Sequence, residues 1–214
     1  MLYADYKTLD SELTPAIVTI GDKSTPVWHQ SLWQTGQYQE FVRKNGCGHC
    51  CAAMALNLYG VEIDPHGEFT LCRELWGKPQ EHQGNYQTIS GITKILHHHG
   101  VVAQCFGVPS LESAAAHIDK ALKDGKQVIF WSPGTKTYPE TPFSNGEHYV
   151  MAVGYTKDGK ILVANSSKLK APTGVQMVDV DTIARALYHD SEPTDKTWGE
   201  KGRHRNCAGY IIVG

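Results

Sequence analysis

The chain has 214 residues, a formal net charge of −2 and a sequence pI near 6.6. Hydrophobic residues make up 41% and charged residues 20%, which is typical of a globular protein and excludes a disordered one. The small net charge gives no electrostatic reason to expect nucleic acid or an anionic membrane as a partner. A short basic cluster, Lys201, Arg203 and Arg205, is expected to be a solvated loop.

The N-terminal residues and the cysteines bear on the cellular compartment. Charges at Asp5, Lys7, Asp10 and Glu12 interrupt the apolar run that a secretory signal needs. No segment approaches the roughly 18 apolar residues of a membrane span. Six cysteines are too few for a disulfide scaffold of this length. We therefore expect a cytoplasmic protein, without a membrane partner, whose thiols are reduced.

The first strong element in chain order is a helix over residues 46–61, GCGHCCAAMALNLYGV. This segment contains no Asp, Glu, Lys or Arg, and its alanines, leucines and methionine favour helix. A helix without a charged face is expected to be buried on all sides. Gly46 and Gly48 at its start and Gly60 at its end punctuate it.

Later segments predict two more helices and then mostly strands. Residues 91–99 and 111–123 have helical patterns, and Ser110 is a plausible N-cap for the second. The strand-like runs are 127–131, 148–155, 161–164 and 210–213, with an Asp158-Gly159 hairpin turn and a further helix over 180–189. Helices followed by strands predict an α+β fold rather than a βαβ series.

One set of residues fits nucleophilic catalysis by a thiol. Such a thiol needs a lowered pKa, a nearby base, and a third group that orients the base. Cys47 lies at a predicted helix N-terminus, where the helix dipole favours a thiolate. His148 begins a predicted strand, and Asn165 follows 17 residues later at the end of the returning strand of a hairpin. Antiparallel pairing of the two strands would bring His148 and Asn165 together.

Four segments in the same order resemble a known family. HYVMAVGYTKDGKILVANSS resembles the His-strand-hairpin-Asn segment of papain-like cysteine peptidases. NGCGHCCAAMALNLYG is similar to the nucleophile helix of one bacterial branch, the bacteriocin-processing (double-glycine leader) peptidases and their stand-alone relatives. LKDGKQVIF, residues 122–130, resembles that branch's helix and the strand before the His. PVWHQ, residues 26–30, resembles its entry strand, which ends in Gln. The resemblance covers about residues 25 to 170.

The resemblance implies a catalytic set carried by four residues. It makes Cys47 the nucleophile, His148 the base that forms a thiolate–imidazolium pair, and Asn165 the group that orients the imidazole. Gln30 would donate a side-chain N–H to the oxyanion. Asn165-Ser166 stands where the double-glycine branch has Asp-Pro, so less negative charge lies behind the imidazole.

Two assignments within this set have competitors. The papain-type motif Cys-Gly-Ser-Cys-Trp has its second Cys as the nucleophile, and that register would make Cys50 catalytic. The positions of Ala53, Met54 and Tyr59 fit the Cys47 register better. The oxyanion residue has three further candidates, which are Gln34, Gln37 and Gln39.

The implied fold is a two-lobed papain-like domain spanning residues 1–214. A helical lobe over about residues 25–125 would carry the central nucleophile helix, packed on a mostly antiparallel sheet over about residues 126–214 that carries His148 and Asn165. The implied activity is hydrolysis of a peptide or protein substrate through a thioester, without cofactor or metal. The alternatives are an amidase or acyltransferase with the same thiol chemistry, or an inactive papain-like binding domain.

The motif Cys47-Gly48-His49-Cys50 has two rival interpretations. A thiol–disulfide oxidoreductase needs a buried strand before the motif, whereas residues 41–46 are charged and end in a turn. A zinc ribbon needs a second Cys-x-x-Cys or a His pair at matching spacing, and the sequence has neither. Both are therefore less favoured than a hydrolase.

Overall fold

The computed structural model describes residues 1–34, 36–77, 88–108, 110–136, 138–191 and 209–214. The basic cluster of Lys201, Arg203 and Arg205 lies outside the described residues. Within these ranges, no helix is long and apolar enough to cross a membrane.

The N-terminal residues form a small antiparallel sheet in strand order β1-β2-β3. Its strands are β1 (Ala4–Thr8), β2 (Ala16–Ile20) and β3 (Lys23–Val27). Strand β3 tolerates Pro26 because it lies at an edge of this sheet, where one side needs no ladder hydrogen bonds. The chain then enters a short 3-10 helix, Gln30–Leu32. The meander thereby leads to Gln30, which is half-buried at the start of this short helix.

Four helices follow, and the second is central. They are α1 (Gln39–Asn45), α2 (Cys47–Leu58), α3 (Pro65–Trp76) and α4 (Ile89–His98). Every residue of α2 except Asn57 is buried, which confirms the prediction of a helix buried on all sides. Helix α3 begins after Asp64, whose carboxylate accepts from the Gly67 N–H, with Pro65 in the first turn.

The described residues after α4 form a six-stranded antiparallel sheet in the order β4-β9-β5-β6-β7-β8, together with two helices. In chain order these elements are β4 (Ala103–Phe106), α5 (Leu111–Lys123), β5 (Gln127–Ser132), β6 (His148–Tyr155), β7 (Ile161–Ala164), β8 (Val175–Val178), α6 (Val180–Ser191) and β9 (Tyr210–Val213). The two long interior strands β5 and β6 are almost entirely buried, since both of their faces are covered.

The six-stranded sheet separates two hydrophobic clusters. One cluster contains α2, the small N-terminal sheet and α4, and the other contains α5 and α6. Side chains along β5 alternate between them: Ile129 and Trp131 face the first, Val128 and Phe130 the second. Helix α2 packs against both β3, which leads to Gln30, and β6, which begins at His148.

The predicted α+β class with a central helix packed on antiparallel strands is confirmed. The division into two lobes at about residue 125 stays a prediction. Strand β4, which precedes that boundary, belongs to the six-stranded sheet, and α5 packs on the same sheet.

Candidate active site

Cys47 is the first residue of α2, and its side chain is 8% exposed. The residue before it, Gly46, ends α1 and caps α2. A Cβ on Gly46 would collide with the backbone carbonyl oxygen of Val42, so the tight join between the two helices requires glycine. The join fixes Cys47 at the N-terminus of α2, where the helix dipole favours a negative charge on sulfur.

His148 and Asn165 are joined by a direct hydrogen bond. His148 is the first residue of β6, and Asn165 follows the last residue of β7. Met151 pairs with Ala164 in the β6–β7 ladder, so Asn165 lies diagonally across from His148 on the same side. The His148 Nε2–H donates to Asn165 Oδ1 over 2.9 Å. With the hydrogen on Nε2, the lone pair is on Nδ1, which is the atom that can accept a proton from a thiol.

A chain of amide hydrogen bonds fixes the orientation of Asn165. Its Nδ2 donates to the Phe143 carbonyl at 3.0 Å and to Gln176 Oε1 at 2.7 Å. Gln176 in turn donates from Nε2 to the Pro142 carbonyl at 2.9 Å. These partners require that Oδ1 of Asn165 face His148, because both acceptors lie on the Nδ2 side. The orientation of the buried Asn165 amide, which accepts the hydrogen bond of the imidazole, is therefore fixed.

Burial decides the protonation state of His148. Its side chain is 4% exposed, and desolvation lowers the pKa of His148 to about 4, against a smaller raising effect of the Asn165 hydrogen bond. A neutral imidazole at neutral pH can act as a general base. In the free protein this environment favours a neutral imidazole rather than the ion pair implied by the family resemblance.

Gln30 is held by the residue next to Asn165. The Gln30 N–H donates to the Ser166 carbonyl at 3.2 Å, and the Ser166 hydroxyl donates to Gln30 Oε1 at 3.2 Å. With Oε1 occupied as an acceptor, the Nε2 amide hydrogens are the donors that Gln30 can offer to a substrate oxygen. The three competing residues Gln34, Gln37 and Gln39 are all exposed.

Cys50 lies deeper than Cys47 on the same helix. It is completely buried, and its side chain is hydrogen-bonded to that of Ser166. Desolvation raises the pKa of the Cys50 thiol well above its usual value, and the nearby Cys47 adds to this effect. Residues three apart share a helix face, so Cys47 lies one turn nearer the N-terminus on the face that meets Ser166. None of the five described cysteines forms a disulfide.

The remaining polar residue of the motif, His49, belongs to a buried network. His49 Nδ1 is hydrogen-bonded to Glu68 Oε2, and the Cys72 thiol donates to Glu68 Oε1 at 3.3 Å. All three side chains are 1% exposed, and the rings of Phe41 and Phe69 pack against His49. One nitrogen of His49, one carboxylate oxygen of Glu68 and the sulfur of Cys72 lie within 4.8 Å of one another, a spacing that the ligands of a metal ion also have. The two hydrogen bonds occupy both oxygens of the Glu68 carboxylate and link the first turn of α2 to α3.

Comparison with known proteins places these residues in a family. The model of the Peptidase_C39-like family matches residues 26–201, a span that includes Gln30, Cys47, His148 and Asn165. The chain belongs to the Peptidase_C39-like family. Membership confirms the resemblance to papain-like cysteine peptidases of the C39 type, and with it the papain-like character of the fold.

Two further comparisons accompany this family assignment. The chain is similar to a Bacillus anthracis protein whose crystal structure is described as that of a C39-like peptidase. The two share 16% identity over 79% of this chain and 88% of that chain, with a TM-score of 0.45. No curated protein matches the chain at a significant level.

The structure brings together three of the four residues singled out in the sequence, since Gln30 is bonded to Ser166, the residue after Asn165, and Asn165 is bonded to His148. Cys47 begins the helix that packs against β6, and Cys50, one turn further along that helix, is hydrogen-bonded to Ser166. Sequence reasoning missed Ser166, Gln176 and Glu68. Only the position of Ser166, directly after Asn165, carried a signal, because any residue there must lie beside the triad.

Proposed function

We propose that this member of the Peptidase_C39-like family is a cysteine peptidase that hydrolyses peptide bonds. In this proposal Cys47 is the nucleophile, His148 the general base and acid, Asn165 the orienting residue and Gln30 an oxyanion donor. The observation that carries the proposal is the His148 Nε2–Asn165 Oδ1 hydrogen bond, because it leaves the lone pair on Nδ1 of His148, in the strand against which α2 packs.

The first half of the reaction forms a thioester. Nδ1 of His148 takes the proton of Cys47 as sulfur attacks the carbonyl carbon of the scissile amide. The carbonyl oxygen becomes an oxyanion that accepts hydrogen bonds from Gln30 Nε2 and from the backbone N–H of Cys47. When the tetrahedral intermediate collapses, the C–N bond breaks and the imidazolium of His148 protonates the leaving amine.

The second half of the reaction regenerates the thiol. His148, neutral again, takes a proton from water as that water attacks the thioester carbon. The C–S bond breaks, the acid product leaves, and His148 returns the proton to the sulfur. An amidase would follow the same steps on a smaller amide, and an acyltransferase would replace water with an amine. The peptide substrate is favoured because peptide cleavage is the activity the family is named for.

Acylation with p-nitrophenyl acetate tests the catalytic assignment without knowledge of the peptide specificity. The expected result is a burst of p-nitrophenolate and an acetyl group on Cys47, located by peptide mass spectrometry. Cys47→Ser should abolish the burst, and the matched variant Cys50→Ser should keep it. Acetylation of Cys50, or no acylation at all, would contradict the assignment. Incubation with a peptide mixture, with products identified by mass, then separates hydrolysis from transfer to an added amine.

A further inference from the structure

The residue before Gln30 has an unusual set of partners. His29 is 1% exposed, and both of its ring nitrogens face backbone carbonyl oxygens. Nδ1 lies 2.8 Å from the Glu12 oxygen, and Nε2 lies 2.9 Å from the Ala171 oxygen. A carbonyl oxygen can only accept a hydrogen bond, and a neutral imidazole has a single N–H. Two good hydrogen bonds therefore require that both nitrogens of His29 carry hydrogen.

We propose that His29 is a buried imidazolium and that it is a positioning residue for the oxyanion donor Gln30. The role rests on the function proposed above, whereas the charge rests on the two carbonyl partners alone. A neutral His29 would leave one lone pair pointing at a carbonyl oxygen in a site without access to water, an arrangement that buried polar groups avoid. The cationic form converts both contacts into charge-assisted hydrogen bonds.

The bonds of His29 connect segments that are far apart in the chain. Glu12 belongs to the loop between β1 and β2, and Ala171 belongs to the loop between β7 and β8. The His29 N–H also donates to the Leu13 carbonyl at 2.8 Å. At the surface the same two loops are joined by an ion pair between Glu12 and Lys168 at 3.0 Å. His29 thus ties the N-terminal sheet to the loop that begins with Asn165 and Ser166.

His29 is also the neighbour in sequence of Gln30, a member of the proposed catalytic set. Gln30 directly follows His29 and is bonded at both its backbone and its side chain to Ser166. His29 is bonded to Ala171 and Gln30 is bonded to Ser166. Together these hydrogen bonds hold the Gln30 amide against the segment that carries Asn165. Loss of the charge on His29 should loosen this arrangement, and should thus slow the acylation of Cys47 more than its alkylation.

Nuclear magnetic resonance tests the charge on the unaltered protein. In a ¹⁵N-histidine sample at pH 7, the His29 ring should give two N–H signals, assigned by contacts with Glu12 and Ala171. A single N–H, with the second nitrogen at the shift of a lone-pair nitrogen, would overturn the charge. This measurement stands even if a His29 variant does not fold.

Kinetics of His29→Gln test the positioning role, because Gln is neutral and offers one donor group in place of two opposed ones. Two rates on Cys47 are compared: acylation by p-nitrophenyl acetate, which passes through an oxyanion, and alkylation by iodoacetamide, which does not. We expect acylation to fall by about tenfold to a hundredfold while alkylation is unchanged. His117→Gln is the matched control, since His117 bonds only Tyr210 on the outer side of the sheet among its described contacts. It should leave both rates unchanged.

The outcomes separate the two proposals. Equal losses of acylation and alkylation in His29→Gln would overturn the positioning role, because a general loss of structure would then explain both. Unchanged acylation would overturn it as well. A wild-type protein whose Cys47 neither acylates nor alkylates would overturn the peptidase assignment and the positioning role together, while the count of N–H signals would still decide the charge on His29.

Discussion

His148 and Asn165, 17 residues apart, are joined by a 2.9 Å hydrogen bond between Nε2 and Oδ1 at one end of the β6–β7 hairpin. The bond selects the tautomer of the imidazole, and the amide chain through Gln176 and Phe143 prevents Asn165 from turning its nitrogen towards the ring. The geometry of the hairpin and its loop thus determines which nitrogen of His148 has the free lone pair, and this is the nitrogen that we propose as the base.

Asn165→Ala removes the group that fixes the tautomer. We expect the acylation rate of Cys47 to fall by roughly a hundredfold, since His148 then loses both its orientation and its preference for hydrogen on Nε2. Gln176→Leu, which removes only a partner of Asn165, should have a smaller effect. Stopped-flow measurement of the p-nitrophenolate burst gives both rates, and equal losses in the two variants would contradict this ranking.

Gln30→Ala tests the oxyanion donor. Removal of one oxyanion hydrogen-bond donor typically costs about a hundredfold to a thousandfold in turnover. Gln39→Ala is the matched control, because Gln39 is exposed at the start of α1. The control should retain the wild-type rate of acylation. If Gln39→Ala lost as much activity as Gln30→Ala, the oxyanion donor would have been assigned to the wrong residue.

The buried imidazole predicts a pH dependence of stability. His148 has a folded pKa of about 4 against an ordinary value near 6.5, so the unfolded chain binds more protons between these two pH values. The free energy of unfolding should therefore rise with pH across this window, by on the order of 3 kcal/mol from this group. Stability that is present above pH 6.5 is lost as the pH falls towards 4.

Urea unfolding in a Cys47→Ser background measures this effect without a contribution from titration of the Cys47 thiol. The rise between pH 4.5 and 7 should be smaller in the double variant Cys47→Ser, His148→Gln, because glutamine does not titrate. Identical pH dependence in the two backgrounds would show that His148 has an ordinary pKa in the folded protein.

Two glycines flank the loop that leads to His148, and they differ in the space around them. A Cβ on Gly134 would lie 2.6 Å from the Asn145 carbonyl oxygen, whereas a Cβ on Gly146 would meet nothing within 4 Å. Gly134→Ala should therefore force the two ends of the loop apart and slow acylation, while Gly146→Ala should be neutral. Thermal melts and burst rates of both variants check this, and equal behaviour of the pair would contradict it.

Glu68→Gln disturbs the network beneath the first turn of α2. Glutamine places an N–H₂ group where His49 or Cys72 now donates, so one donor loses its acceptor in a fully buried site. We expect a loss of about 3 kcal/mol in the free energy of unfolding, at the lower end of the range for a broken buried pair. Glu40→Gln, at an exposed pair with Lys44, should change little. Urea denaturation of the two variants measures the difference.

Elements with local signals were well predicted from the sequence. Helix α5 begins at Leu111 as expected because the Ser110 side chain accepts from the Ser113 N–H, and β6, β7 and β9 have the predicted bounds. Helices α1 and α3 and strands β1, β2, β4 and β8 were not predicted, and only the end of β3 overlaps the entry strand that the resemblance implied over residues 26–30. Strand β8 has only four residues, and the β3 segment, KSTPV, contains a proline that its edge position accommodates.

In the candidate site too, some residues could be predicted from local sequence signals and others could not. Cys47, His148 and Asn165 could be singled out because their order and spacing fit one hairpin and one helix. The network around them could not be derived from spacing, since Ser166 meets Gln30 across 136 residues and His29 meets Ala171 across 142. Partners at such separations are determined by how the two sheets pack, and no local pattern encodes them.

Alkylation with limiting iodoacetamide near pH 6, followed by peptide mass spectrometry, tests the identity of the nucleophile most directly. One cysteine, Cys47, should be labelled rapidly, and the labelling should slow sharply in His148→Ala because the base is lost. Cys50, completely buried and with a raised pKa, should remain unlabelled. Rapid labelling of Cys50, or slow labelling of Cys47 that does not depend on His148, would contradict a catalytic Cys47–His148 pair.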